Sequence, residues 1–373
     1  MSAKRRTFLK SGMAAAAALG GGALNVGSTD VAAQAPKPAA KGLAKGLTLL
    51  TLRKGGRDVL AAKTAQGILD VPQAASLLGL SAPGTLDDML QREEGPSVEA
   101  VVAAALASAK AKPAFVPEAG IEYGPLVSRP EKIVCVGLNY LKHAQETGSP
   151  VPKYPVLFNK FNGALNRHNG TIKLPTHLAT NFDYEVELVI VMGRHASAVS
   201  EADALSYVAG YATGNDFTAR ELQNDRGGQW MVGKAIDQFA PIGPYLVTAD
   251  EIRDPQKLQI RLWNNGTLMQ DFNTDDMGHR IAKCIAWLST IHTLLPGDIV
   301  ATGTNHRGLN PFMDGDTIEL ETEGLGRLKF GIKDDLKRSW ARKTRLQMHE
   351  EAKEKTRGAY PDVTPQLTGK YAK

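Results

Sequence analysis

Two carboxylates stand at the start of an apolar run that ends at Met192, in the order Glu185, Val186, Glu187. The run VELVIVM predicts a strand that is buried on both faces. Side chains alternate along a strand, so Glu185 and Glu187 share one face, with Cα atoms about 6–7 Å apart. Two carboxylates at that separation repel each other, and partial burial strengthens the repulsion. Unless the strand end is solvated, a cation is expected between them, either an Arg or Lys side chain or a metal ion.

A third carboxylate follows another apolar strand. The stretch GYATGNDFTAR, residues 210–220, ends its apolar part at Asn215 and Asp216. An isolated Asp at a strand end is usually a turn former, but from a neighbouring strand it could also point at Glu185 and Glu187. Three carboxylates without a thiolate form a hard oxygen site, which suits Mg²⁺, Mn²⁺ or Ca²⁺ rather than zinc or copper. This interpretation makes all three residues metal ligands.

A histidine and a glutamate form a second candidate group in GLNYLKHAQETG, residues 137–148. Asn139 can cap a short helix there and Gly148 can end it. His143 and Glu146 are then i, i+3 neighbours on one face of that helix. A carboxylate beside an imidazole raises its basicity, which makes the pair a candidate general-base dyad. The alternative is a solvated pair on the protein surface.

Lys234 lies in the loop GKAIDQFAPIGP, residues 233–244, before an apolar strand. A single lysine in a loop is usually solvated. Beside a group of carboxylates it could instead bind an anionic part of a substrate.

The elements that must position these residues are mostly strands. Short apolar runs recur from residue 132 to residue 332, separated by Gly, Asn and Pro, as hairpins and tight turns require. Asn265-Gly266 is a strong hairpin signal. Helices are predicted near residues 200–208 and 281–288. The fold class is therefore α+β and β-rich.

The 373 residues are expected to divide into four segments. They are a targeting segment with its cleavage region (1–35), a linker with a small N-terminal α+β domain (36–129), a catalytic domain (130–335) and a basic C-terminal tail (336–373). The net charge of +5 arises from the two ends of the chain, because residues 1–35 carry +3 and residues 336–373 carry +6. The acidic body and the 6% aromatic content argue against a nucleic-acid partner.

The targeting segment resembles a twin-arginine signal peptide. Arg5 and Arg6 are followed by Phe8 and Leu9, a weakly apolar Ala/Gly stretch and small residues around a plausible cleavage site. The apolar stretch is too short and too rich in glycine to span a membrane. We therefore expect a periplasmic protein that is exported folded and has no membrane span in its mature form.

Five motifs occur in an order that resembles the fumarylacetoacetate hydrolase family. They are GLNYLKHAQE, DYEVEL, NDFTARELQ, GKAIDQFAPIGP and PGDIVATGT, and the resemblance covers residues 131–332. It implies a mixed β-roll fold, a homodimer and a divalent metal. Carried across motif by motif, it places Glu185, Glu187 and Asp216 at metal positions, His143 and Glu146 at the catalytic dyad, and Arg220, Gln223, Lys234 and Thr304 at substrate-binding positions.

The sequence departs from the family pattern in two places. Phe161 follows Lys160 where the family usually has Pro, and Asn305 follows Thr304 where Pro is also usual. Both departures bear on the substrate more than on the metal.

The predicted function is a hydrolase that depends on Mg²⁺ or Mn²⁺, with Ca²⁺ as a further candidate. It would cleave a C–C bond in a 1,3-dicarbonyl or acylpyruvate-type oxo acid, with the metal polarising the carbonyl and His143 activating water. The alternative is a decarboxylase, isomerase or hydratase that acts on a 2-oxo acid or 2-hydroxy-dienoate by stabilising its enolate. A lesser alternative is a periplasmic small-acid binding protein without turnover.

Overall fold

The structure, a computed structural model, describes residues 41–147, 151–178, 182–225, 229–305, 311–344, 347 and 350–351, with the backbone alone for 145–147 and 224–225. The predicted signal segment, 1–35, therefore lies outside the described residues, as does most of the predicted tail. Within the described ranges, no helix has the length and apolar character needed to cross a membrane.

Strands dominate the described part of the chain, as the sequence predicts. The strands are β1 (Thr48–Lys54), β2 (Arg57–Thr64), β3 (Gly67–Asp70), β4 (Phe115–Val116), β5 (Ile133–Gly137), β6 (Val156–Lys160), β7 (Leu165–Asn166), β8 (Gly170–Lys173), β9 (Phe182–Asp183), β10 (Val186–Met192), β11 (Val208–Asn215), β12 (Thr218–Ala219), β13 (Ala240–Thr248), β14 (Gln259–Asn264), β15 (Thr267–Asn273), β16 (Ile299–Ala301), β17 (Thr317–Thr322) and β18 (Arg327–Lys333). The α-helices are α1 (Val71–Leu78), α2 (Leu86–Arg92), α3 (Gly95–Ala107), α4 (Leu141–Thr147), α5 (Arg220–Asp225), α6 (Met231–Lys234) and α7 (Ile281–Ile291). Short 3₁₀ helices span Ala109–Ala114, Asn162–Ala164, Ala204–Tyr207, Ala249–Glu251, Pro255–Lys257 and Thr274–Asp276.

The strands form one large mixed sheet and two smaller sheets. The large sheet has the order β4-β3-β2-β1-β13-β11-β10-β16-β5-β6, with β7 beside β13. Most of its pairs are antiparallel, but β16 runs parallel to β5 and β7 runs parallel to β13. A five-stranded sheet has the order β15-β14-β17-β18-β8, and β12 pairs with β9. The β14–β15 turn carries Asn265 and Gly266 with φ of 50° and 80°, which confirms the predicted hairpin.

Strand β10 lies between β11 and β16 in the large sheet and is buried along its whole length, as its apolar run predicts. Leu188 and Ile190 join the core cluster shared with residues of the five-stranded sheet. Val189 and Val191, on the opposite face, join the cluster that contains the apolar residues of α1, α2 and α3. A strand packed on both faces holds its ends rigidly, which suits a site built at one of them.

The N-terminal segment has the predicted α+β character, with a β1–β2 hairpin and the alanine-rich helix α3. Its strands nevertheless extend the large sheet, because β1 pairs with β13 through Thr48 opposite Val247. The predicted small domain at 36–129 thus shares its sheet with the segment predicted to be catalytic. The same pairing sets Leu49 of β1 opposite Leu246 of β13, and both side chains are buried in one apolar cluster.

The first part of the predicted C-terminal tail packs on the body. Arg338 is buried and donates hydrogen bonds from Nε and Nη2 to the buried Asp334. Trp340 is also buried, and Arg342 forms a two-pronged ion pair with Asp316 at 2.7 Å for each contact. Residues 336–342 therefore belong structurally to the preceding segment, because their two arginines form ion pairs with buried aspartates of that segment.

Candidate functional site

Two neighbouring strands bring the three predicted metal ligands together. Antiparallel pairing of β10 with β11 sets Glu187 opposite Gly214, and Asp216 follows the end of β11. The backbone N–H of Asp216 donates to the carbonyl oxygen of Glu185 at 2.9 Å. One carboxylate oxygen from each of Glu185, Glu187 and Asp216 lies within 4.8 Å of the others, and all three residues are buried.

Three cationic side chains surround these carboxylates. Lys234 Nζ bridges Glu185 Oε2 at 2.7 Å and Asp216 Oδ2 at 2.6 Å. Lys160 Nζ lies 2.6 Å from Asp216 Oδ1. Arg220 donates from Nη2 to Glu185 Oε1 at 2.5 Å. Burial alone would raise the pKa of Glu185, but Lys234 and Arg220 outweigh it and hold that pKa well below its usual range.

Glu187 has no such partner. Its Oε2 accepts the Gly303 N–H at 2.8 Å, but no ammonium or guanidinium of the described residues lies within 4 Å of it. Burial raises the pKa of Glu187 well above its usual value, and the nearby charges of Asp216 and Glu185 raise it further. Within the described ranges, the buried Glu187 carboxylate therefore has no counter-charge in contact with it.

A divalent ion fits this group of oxygens. Oxygen ligands bind Mg²⁺ or Ca²⁺ at about 2.0–2.6 Å, so two ligands of one ion lie at most about 4–5 Å apart. The 4.8 Å limit of the triad is within that range. Three hard carboxylate donors, one of them without a counter-charge, match what such an ion requires. Glu185, Glu187 and Asp216 are the residues that would hold it.

His143 lies in α4, close enough to the triad for its charges to act on the imidazole. Burial lowers the pKa of His143 to about 4, although the charge of Glu185 opposes the shift and those of Arg220 and Lys234 reinforce it. The imidazole is therefore neutral at neutral pH and can accept a proton. Glu146 has its backbone in α4, but its side chain lies outside the described part, so the predicted dyad stays a prediction.

The predicted helix cap at Asn139 is wrong. The buried side chain of Asn139 instead donates to the carbonyl oxygens of His279 at 3.1 Å and Thr302 at 2.9 Å, and accepts the His279 N–H at 2.8 Å. Asn139 therefore ties the base of α4 to the turn that carries Gly303. The local sequence suggests a cap because Asn precedes the helix. The carbonyl groups that bind the Asn139 side chain lie far away in the sequence, so the local pattern does not indicate them.

The four predicted substrate-binding residues lie around the triad in different ways. Lys234 is buried against Glu185 and Asp216, as described above. Arg220 is held by the carboxylates and also donates from Nη1 to Gln223 Oε1 at 3.1 Å. Thr304 is half-buried and directly follows Gly303, whose N–H binds Glu187. Their contact with a substrate remains a prediction.

Two residues of the site escaped the sequence reasoning. Lys160, at the end of β6, donates to the carbonyl oxygens of Phe217 and Phe239 at 3.2 and 3.1 Å, and to that of Lys234, besides its ion pair with Asp216. Asp183 accepts Arg220 Nε at 2.7 Å. Strand alternation could have indicated Asp183, because it precedes Glu185 by two residues. A lysine at a strand end carries no comparable signal.

The fold and the site together define a β-rich α+β protein with a buried triad of carboxylates that could hold a divalent metal, and with a neutral histidine near it. The family model described as fumarylacetoacetate (FAA) hydrolase C-terminal matches residues 132–333. The chain belongs to this family.

Relatives and solved structures agree with this assignment. The chain is 39% identical over 252 residues to the mitochondrial oxaloacetate tautomerase FAHD2B of Bos taurus, covering 65% of this chain and 78% of that protein. Its structure is similar to that of 5-carboxymethyl-2-hydroxymuconate delta-isomerase from Mycobacterium smegmatis, with a TM-score of 0.60, 29% identity and coverage of 77% and 99% of the two chains. It is also similar to maleylpyruvate hydrolase from Sphingobium sp. SYK-6 in complex with manganese(II) and pyruvate, with a TM-score of 0.62, 30% identity and the same coverage. The predicted fumarylacetoacetate hydrolase-like fold is confirmed.

Proposed function

We propose that this chain is a divalent-metal-dependent hydrolase that cleaves a C–C bond of an acylpyruvate-type oxo acid. The observation that carries the proposal is the buried triad of Glu185, Glu187 and Asp216, in which Glu187 contacts no cation of the described residues, with the neutral His143 near it. Mn²⁺ and Mg²⁺ are the ions proposed, and the manganese in the similar maleylpyruvate hydrolase supports the choice.

A divalent ion bound to the triad supplies Lewis-acid polarisation of carbonyl oxygens. His143 takes a proton from water on an imidazole nitrogen, so that the water oxygen can attack the acyl carbonyl. The C–C bond then breaks, its electron pair passes to the pyruvate part as an enolate, and that enolate takes up a proton. Water and acylpyruvate thus give a carboxylic acid and pyruvate.

The cations of the site hold two of the three carboxylates, those of Asp216 and Glu185, in place during these steps. Lys234 and Lys160 fix the two oxygens of Asp216, and Arg220 fixes Glu185. Because these two carboxylates are oriented before substrate arrives, they need little reorganisation during the reaction. Thr304, at the rim, is proposed to bind an oxygen of the substrate.

Tautomerisation of a 2-oxo acid is the second candidate. It is favoured by the 39% identity to an oxaloacetate tautomerase. In this reaction His143 would move a proton between carbon and oxygen of the substrate, without water as nucleophile and without bond cleavage. The same residues serve both reactions, and the products distinguish them.

The cellular setting is proposed on the sequence alone. Residues 1–35 support export by the twin-arginine route to the periplasm. A homodimer is proposed from membership of the family.

Turnover by the full chain with Mn²⁺ or Mg²⁺ tests the proposal. The substrates are a panel of acylpyruvates, oxaloacetate and a 2-hydroxy-dienoate, with products identified by NMR and with EDTA as control. EDTA-sensitive release of two acids supports hydrolysis, whereas a metal-dependent shift of the keto–enol equilibrium supports tautomerisation. Tight metal binding without turnover on any member would refute both and favour a binding protein.

A further inference from the structure

A buried glutamine, Gln270, connects β10 to the turn that holds residues 304 and 305. It lies within β15 and has no exposed surface. Its Oε1 accepts the backbone N–H of Val186 at 3.2 Å, and Val186 stands between Glu185 and Glu187. Its Nε2 faces residues 304 and 305 in the turn after β16.

The contacts of Nε2 are three. It lies 3.1 Å from Thr304 Oγ1, 2.9 Å from the carbonyl oxygen of Asn305 and 3.0 Å from Asn305 Oδ1. An amide nitrogen carries two protons. One can go to Thr304 and the other can be shared between the two oxygens of Asn305.

The orientation of the Gln270 amide is determined by its neighbours. A backbone N–H can only donate, so the amide oxygen must face Val186 and the amide nitrogen must face Thr304. Rotating the amide would set Nε2 against that N–H and Oε1 against the oxygens of Asn305. Both contacts would be repulsive, and burial makes such mismatches costly.

This orientation decides what the Thr304 hydroxyl can do. A hydroxyl that accepts the Gln270 N–H keeps its own proton for another acceptor. Among the described residues none accepts it. Thr304 is half-buried and follows Gly303, whose N–H binds the Glu187 carboxylate, so the residue that carries the hydroxyl is the chain neighbour of a residue in contact with the triad.

We propose that Gln270 is a positioning residue that makes the Thr304 hydroxyl a hydrogen-bond donor to an anionic oxygen of the bound oxo acid. The inference rests on the proposed function, since it concerns the substrate of that site. It adds a selection rule, because an oxygen that accepts a hydrogen bond is favoured there over a group that must donate one. A carboxylate or enolate oxygen meets this rule.

The experiment measures binding of oxalate to the full chain loaded with Mn²⁺, by calorimetry. Gln270→Met removes the amide at similar volume. Gln270→Glu keeps an acceptor for Val186 but offers Thr304 an acceptor in place of a donor. Thr304→Val removes the hydroxyl and Thr304→Ser keeps it. Gln256→Glu is the matched control, because Gln256 is also buried, donates to the Thr274 carbonyl and accepts the Ile281 N–H.

The expected loss of oxalate affinity is about 10- to 100-fold for Gln270→Met, Gln270→Glu and Thr304→Val, the range for a hydrogen bond to a charged group. Thr304→Ser and Gln256→Glu should bind oxalate as the unaltered chain does. The Mn²⁺ affinity, measured without oxalate, should stay within about threefold in every variant, since none removes a carboxylate of the triad. In a chain with Thr304→Val, adding Gln270→Met should cause no further loss.

Several results would overturn the inference. One is unchanged oxalate affinity in the Gln270 variants or in Thr304→Val, and the Thr304 variants decide the matter even where a Gln270 variant does not fold. Another is additive loss in the double variant, which would mean that Gln270 does not act through Thr304. If the unaltered chain shows no metal-dependent oxalate binding, the proposed function itself fails and the inference falls with it.

Discussion

Replacing Glu187 by Gln should change stability in opposite directions with and without metal. In the metal-free protein the Glu187 carboxylate is buried near two like charges, and burial followed by Asp216 and Glu185 raises its pKa well above the ordinary 4.5. Glu187 therefore binds its proton more tightly in the folded chain than in the unfolded chain. Stability must then fall as the pH rises from about 4.5 through the raised pKa. The amide of Gln carries no charge and can still accept the Gly303 N–H.

The size of this change in stability follows from the coupling between proton binding and folding. Each unit by which the folded pKa exceeds the unfolded one, up to the working pH, is worth about 1.4 kcal/mol. For the roughly 300 residues that the structure describes, this is about 2 °C in Tm. Metal-free Glu187→Gln should therefore melt higher than the metal-free unaltered chain at pH 7.5, and the gap should close towards pH 5.

Bound metal should reverse the order of the two melting temperatures, so that the unaltered chain melts above Glu187→Gln. Mn²⁺ at 100 times its Kd adds about 2.7 kcal/mol to a chain that binds it, or about 4 °C for this size. Glu187→Gln lacks one of the three carboxylates and should lose most of that gain. Calorimetric melting with EDTA and with Mn²⁺, at pH 5 and pH 7.5, measures all four values.

The control is Glu131→Gln, which makes the same chemical change at an exposed position paired with Lys132. It should shift stability by less than about 0.5 kcal/mol with or without metal. The reasoning is refuted if metal-free Glu187→Gln melts below the unaltered chain at pH 7.5 while keeping the full Mn²⁺ increment. Glu187 would then be an ordinary structural carboxylate.

Two further predictions concern the catalytic base and the body of the fold. His143→Ala should lower kcat by at least about 100-fold, the usual contribution of a general base, while the Mn²⁺ affinity measured by calorimetry stays the same; full turnover would remove His143 from the mechanism. Arg338→Met should lower the free energy of unfolding by about 3–5 kcal/mol in urea, because it leaves Asp334 buried without its partner. A loss below about 1 kcal/mol would mean that the buried pair contributes little.

The parts of the site that follow from strand geometry could be predicted from the sequence. Glu187 lies in β10 and Glu185 immediately precedes that strand, so the alternation of the run predicts that both face one way, and the register with β11 brings Asp216 to them. The same alternation, read two residues further back, would have added Asp183. These inferences succeed because the strand period is fixed by the backbone and does not depend on distant residues.

The parts that depend on long-range partners could not be predicted. Lys160 is surrounded by three carbonyl oxygens from two segments of the chain, and nothing near it in sequence indicates their approach. Asn139 precedes a helix but is bound by carbonyls more than a hundred residues away. The pairing of β1 with β13 likewise joins segments about 200 residues apart. Local pattern cannot report contacts that only the assembled sheet creates.

The charges of the site explain why a chain would place Glu185 and Glu187 so close together. Four buried carboxylates, the triad and Asp183, face three cations, Lys160, Lys234 and Arg220, among the described residues. The group is therefore one positive charge short of neutrality, and the shortage falls on Glu187. A monovalent cation would only neutralise it, whereas a divalent ion leaves one positive charge over. That surplus in a buried site favours an anionic ligand, so the charge balance predicts that an oxo acid should bind more tightly after the metal than before it.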